Sequence, residues 1–150
     1  MKGNITKITK LILDFMFAGG IIVTIALPLI LKILSDYMDS KVSDYFWQVT
    51  ILLMLCGIFA LMIIWELRKI FKSVVADDCF VRINVVSLKR MGNYSFIIAA
   101  IMLLLCFLLY VTLAALAMVI VFVIAGLFSK VLAQVFDRAV SYKLENDFTI

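Results

Sequence analysis

Two carboxylates and three thiols are the side chains of this sequence best placed to do chemistry. Asp14 and Glu66 stand at the edges of long apolar stretches. An ionisable group kept at such a place is the usual mark of an ion or proton pathway. An interfacial ion pair explains them as well, because Glu66 has Lys69 three residues on, at helical pairing distance. Beyond these two acids the interior of the apolar stretches offers Thr24, Thr50, Thr112 and sulfur side chains. Cys56, Cys79 and Cys106 are not spaced for zinc, and a chain without His has no mixed metal site. A reducing cytoplasm disfavours a disulfide, and only Arg82 lies near enough to activate Cys79, so all three thiols read as packing residues. The lack of His also removes Ser-His-Asp and Cys-His nucleophiles. The only adjacent glycines, Gly19 and Gly20, sit inside an apolar stretch rather than in a phosphate loop. The reading is of a non-enzymatic protein with no metal and no cofactor.

The elements that position these groups follow from charge spacing. Met91 to Ser129 is a run of 39 residues without a charged side chain. One helix of that length would measure about 58 Å, roughly twice the hydrocarbon thickness of a bilayer. The run therefore predicts two membrane spans, over about 93–110 and 115–134, with a turn near Val111, Thr112 and Leu113. Phe15 to Leu31 and Tyr45 to Trp65 are also uncharged and predict spans over about 11–33 and 45–65. The fold class is all-α: four transmembrane helices, a short cytoplasmic amphipathic helix between the second and third, and a cytoplasmic extension of the fourth. The 150 residues form one domain, with a cytoplasmic segment over 66–92 and a tail over 135–150.

Basic residues set the orientation. Twelve of the 14 Lys and Arg fall in the amino terminus, the 66–92 segment and the end of the chain from Lys130 onward; only Lys32 and Lys41 lie between the first two spans. The positive-inside rule then puts both termini in the cytoplasm of a multi-pass protein of the cell membrane. The net charge of +4 is accounted for by topology and implies no direct contact with nucleic acid. The first apolar stretch exceeds a signal-peptide core and no small-residue cleavage site follows it, so it reads as an uncleaved helix. Tyr37, Tyr45, Phe46, Trp47, Trp65 and Tyr94 sit where interfacial belts belong.

Three features concern packing. Gly19-Gly20 with Pro28 predicts a deformable first helix that a neighbour can approach closely. Ala117, Ala125, Ser129 and Ala133 form a small-residue stripe on the fourth helix, suited to bundling within the chain or to a homodimer face. Leu132, Val135, Phe136 and Ala139 form an apolar stripe expected to pack on the 66–92 segment.

In that segment Asp77 and Asp78 are candidate caps for a short helix carrying Val81, Val85 and Leu88 on one face, with Arg82, Lys89 and Arg90 as polar neighbours. Such a helix suits an anionic bilayer surface or a soluble partner. In the tail, Glu145 and Asp147 oppose the helix dipole, which predicts helix termination at about Leu144. Two motifs stand out: Phe80, Asn84, Leu88, Arg90 and Gly92 in the first, and Glu145-Asn146-Asp147-Phe148-Thr149-Ile150 at the end.

On these motifs the chain resembles the YoaS-like family, small bacterial four-pass membrane proteins of unknown function. It departs at Cys79, where the family often has Pro, and at Phe148, where Leu is common. The resemblance implies a neighbouring gene for a small Cro/CI-type helix-turn-helix regulator. The leading expectation is a regulatory membrane protein that holds such a regulator through Phe80, Asn84, Leu88, Arg90, Glu145, Asn146, Asp147, Thr149 and Ile150. The alternative is a small homo-oligomeric transporter or exporter subunit using Asp14 and Glu66. A tail that merely closes the inner face of the bundle is a third reading.

Overall fold

The computed structural model describes residues 2–37 and 43–149, so Ile150 and Lys41 lie outside the described residues. Four long helices account for most of the chain: α1 (Lys2–Ser35), α2 (Phe46–Val75), α3 (Arg82–Leu108) and α4 (Leu113–Phe148). Each is long and apolar enough to cross a bilayer. Their outward faces carry large apolar side chains, Phe15 at 79 % and Ile25 at 72 % exposure among them. Water does not tolerate a continuous apolar surface of this kind, whereas lipid does. The chain is therefore a multi-pass helical membrane protein.

The helices alternate in direction and pack chiefly in chain order: α1 on α2, α2 on α3, and α3 on α4. The core consequently sits on α3, which supplies Val85, Leu88, Ile98, Ala99, Leu105 and Cys106 to it. The start of α1, the α2–α3 turn and the end of α4 share one end of the bundle, called here the terminal end.

Small residues at heptad spacing make the α3–α4 seam. Val85, Gly92, Ala99 and Cys106 recur every seventh residue on α3, and all are buried. Gly126, Ala133 and Val140 do the same on α4. A seven-residue repeat keeps one seam facing its partner along two slightly coiled helices. The residues are small because lipid supplies no hydrophobic drive between helices; close backbone contact has to provide the attraction. A Cβ on Gly92 would lie 3.1 Å from the Gly126 carbonyl oxygen, and one on Gly126 would lie 2.9 Å from the Phe96 ring. The stripe expected from the sequence is only partly this seam: Ala133 is buried in it, Ala125 and Ser129 are half-buried, and Ala117 is exposed.

Three expectations are corrected. The short helix is not a separate element, since residues 82–108 form one unbroken helix. Gly92, at the expected joint, is helical and buried, with α4 close against it. Asp77 and Asp78 do not cap it; its N-cap is Val81, without a side-chain bond. They close α2 instead. Asp77 takes a left-handed conformation (φ 55°), and the N–H groups of Asp77 and Asp78 donate to the carbonyls of Val74 and Ser73. That is a Schellman closure with Asp at the place usually taken by Gly. Third, α4 does not stop near Leu144 but reaches Phe148. Thr149 supports the last turn, its hydroxyl donating to the Glu145 and Asn146 carbonyls and its N–H to Asn146. The break between α3 and α4 covers residues 109–112 and includes Val111 and Thr112 of the expected turn, while Leu113 opens α4; Thr112 caps α4 by accepting from the Ala115 N–H at 3.2 Å.

Gly126→Val is expected to lower stability by about 1–3 kcal/mol, the usual penalty for overpacking, because the Phe96 ring has α3 behind it. Thermal unfolding in detergent checks this: a transition unchanged from the native chain would refute the close-packed seam.

Candidate functional site

Polar residues concentrate at the terminal end, where α2, the turn and α3 meet. Asn84 is the innermost of them, with no exposed surface. Its amide donates to Ser73 Oγ at 2.6 Å and to the Cys79 carbonyl at 2.7 Å. It thereby ties the last turn of α2, the connecting turn and the first turn of α3 to one side chain. Its Oδ1 is buried and accepts no hydrogen bond among the described residues.

One turn further into the bundle lies Glu66, whose side chain is 5 % exposed. Oε2 accepts from Ser87 Oγ at 2.7 Å, and Oε1 accepts from Lys69 Nζ at 3.0 Å, with Arg90 Nη1 at 3.4 Å. Ser87 and Arg90 are three residues apart and share a face of α3, so Glu66 is held from two helices. The expected Lys69 pairing is present; Ser87 and Arg90 as its partners were not read from the sequence. Their spacing opposite a lone acid was the available signal. A buried carboxylate with two cations and a hydroxyl is neutralised where it stands, and its lone pairs are largely satisfied.

Asp14 is treated similarly. It accepts from Arg68 Nε at 2.6 Å, and the Arg68 guanidinium lies 4.9 Å from the Phe17 ring centre and 5.4 Å from that of Trp65. Charge and aromatic faces together fix the Arg68 fork between α1 and α2.

Three links join the turn region to α4. Phe80 meets Phe136 with ring centres 5.5 Å apart. Arg82 pairs with Asp137, and Lys143 Nζ donates to Asp78 at 2.6 Å. The Asp78 bond raises the Lys143 pKa above its ordinary value. Of the expected apolar stripe on the tail, Phe136 makes the contact and Val135 is exposed.

The residues expected to form one partner surface thus divide. Asn84 and Leu88 are interior and have no surface to offer a partner, because the heptad face of α3 turns them inward. Phe80 and Arg90 are half-exposed and engaged with Phe136 and Glu66. Glu145, Asn146, Asp147 and Thr149 are exposed on the last turn of α4, and Ile150 lies outside the described residues. Among the described residues neither Glu145 nor Asp147 forms a salt bridge with the basic segment; Asp137 and Lys143 carry the cross-links instead.

Among the described residues no group of three Cys, Asp or Glu side chains converges. A family described as a protein of unknown function (DUF2975) matches residues 33–150. The chain belongs to the DUF2975 family. No curated protein and no solved structure matches it. The family match takes in α2, α3 and α4 with the turn between α2 and α3, and so includes Asn84, the Glu66 cluster and the α4 terminus, while most of α1 lies ahead of it.

Two measurements test this layer. Asn84→Ala is expected to lose about 1–3 kcal/mol, since it strands the Cys79 carbonyl without its donor. Arg90→Gln and Lys69→Gln, both at partly exposed cations, are each expected to lose less than about 1 kcal/mol. Together they leave Glu66 buried with Ser87 alone, and the loss should exceed the sum of the two. A double-mutant cycle on unfolding reads this directly; strict additivity would refute the shared neutralisation of Glu66.

Proposed function

We propose that this DUF2975 member is a non-enzymatic membrane protein that holds a small basic regulator at the terminal end of its bundle, which faces the cytoplasm. The observation that carries this reading is the last turn of α4. Glu145, Asn146 and Asp147 are exposed there, Phe148 is 87 % exposed beside them, and the turn stays helical to Phe148. An acidic helix end with an apolar tip suits a partner that offers Arg or Lys around a hydrophobic spot. The resemblance of this ending to YoaS-like proteins supports a helix-turn-helix regulator as that partner.

Phe80 and Arg90 border the same end and widen the surface, whereas Asn84 acts from inside by holding the α2–α3 turn in place and Leu88 is buried in the core. The transporter alternative draws nothing from the geometry, because Asp14 and Glu66 are each tied to Arg or Lys.

The test is affinity purification from native membranes in mild detergent, comparing the full chain with one ending at Leu144. The shorter chain keeps the Lys143–Asp78 link and loses the acidic turn. A helix-turn-helix protein retained by the full chain and lost from the shorter one is the expected result. Equal retention by both, or no such protein with either folded chain, would overturn the proposal.

A further inference from the structure

The register of α1 against α2 leaves two cations facing each other. Asp14 opposes Arg68, and one turn deeper Phe17 opposes Trp65 at 5.5 Å between ring centres. The same antiparallel register, one turn the other way, sets Lys10 opposite Lys72. Both line a cavity of about 330 Å³ with Asp14, Trp65, Arg68 and Lys69. Among the described residues neither Lys10 nor Lys72 forms a salt bridge, and the one carboxylate of the cavity is already held by Arg68. Two like charges across a shared cavity repel unless an anion sits between them.

A second cavity, of about 410 Å³, shares Trp65 and Lys69 with the first. Its wall is apolar through Phe17, Ile58, Leu61, Met62 and Tyr94, and Glu66 and Arg90 of the α2–α3 side complete it, the Glu66 carboxylate being held by Lys69 and Arg90. The two adjoin at Trp65 and Lys69, and side by side they offer a cationic mouth next to a largely apolar wall. A soluble anion matches only the mouth; a phospholipid with an anionic headgroup matches both parts.

We infer that the α1–α2 groove binds an anionic phospholipid. Its phosphate lies between Lys10 and Lys72 beside Lys69, and an acyl chain follows Phe17, Ile58, Leu61 and Met62. Arg68 keeps its contacts with Asp14, Phe17 and Trp65 and shapes the mouth. This site is separate from the α4 terminus and does not depend on a protein partner there.

The full chain in a neutral detergent is titrated with phosphatidylglycerol, phosphatidylcholine or inorganic phosphate while thermal unfolding is followed. Phosphatidylglycerol should raise the Tm, and the other two should not. Lys10→Gln with Lys72→Gln should weaken its apparent affinity about tenfold or more. The same charge change elsewhere, Lys89→Gln with Arg138→Gln, should leave it within about twofold. Without anionic lipid the groove variant should unfold no earlier than the native chain, since the facing charges are gone. Protection by inorganic phosphate alone overturns the lipid assignment, as does equal protection of the native chain and the groove variant. Lys72→Gln alone is the second variant if the pair does not fold: weakened affinity supports the site, and unchanged affinity overturns it.

Discussion

Close backbone contact between α3 and α4 is the constraint on which the rest of this structure depends. Inside lipid, apolar side chains gain nothing by leaving one greasy environment for another, so helices adhere through contact area and polar bonds. Gly92, Ala99, Gly126 and Ala133 let two long helices meet along most of their length. With α3 fixed to α4, its other face can receive α2, and α1 then leans chiefly on α2. The face that makes this seam also decides which residues are unavailable to the outside: Leu88 lies within it, and Asn84 lies beside it at the turn.

The polar layer at the terminal end answers a different problem. A helical hairpin must reverse direction near the bilayer edge without leaving buried backbone groups unpaired. Asp77 turns the chain in a left-handed conformation, and the Asn84 amide supplies the donor that the Cys79 carbonyl needs. The Glu66 cluster and the Asp14–Arg68 pair then join neighbouring helices just inside this edge. None of these carboxylates is left with the uncompensated charge that would make it a candidate for ion or proton traffic.

What was legible in the sequence was the part governed by length and charge. Four apolar stretches of spanning length stand out without any knowledge of partners, and they are the four helices. The ends were less legible because they are decided by single side chains. Thr112 caps α4 where no Gly or Pro announces a turn, and Thr149 sustains a last turn that the acidic residues alone would disfavour. Asp77 and Asp78 have the composition of an N-cap pair, yet they close the preceding helix, since short polar side chains suit both ends of a turn. The seam was hidden for another reason. Seven-residue spacing of Gly, Ala, Val and Cys has no amphipathic contrast in a helix that is apolar all round, so periodicity of hydrophobicity does not reveal it. The Glu66 site was half legible: Lys69 follows from local spacing, whereas Ser87 and Arg90 require knowing that α3 lies against α2 in this register.

Chain-order packing also has a kinetic meaning. Because the main partners of every helix are its immediate neighbours in sequence, assembly closes only the short loops between consecutive helices, and the associated chain entropy is small. Each helix can dock on the one made just before it, as the chain emerges, without waiting for a distant segment. The same arrangement makes the outermost helix the easiest to detach. A pull on the amino terminus would strip α1 from α2 like the first tooth of a zip, leaving the α3–α4 pair intact behind it.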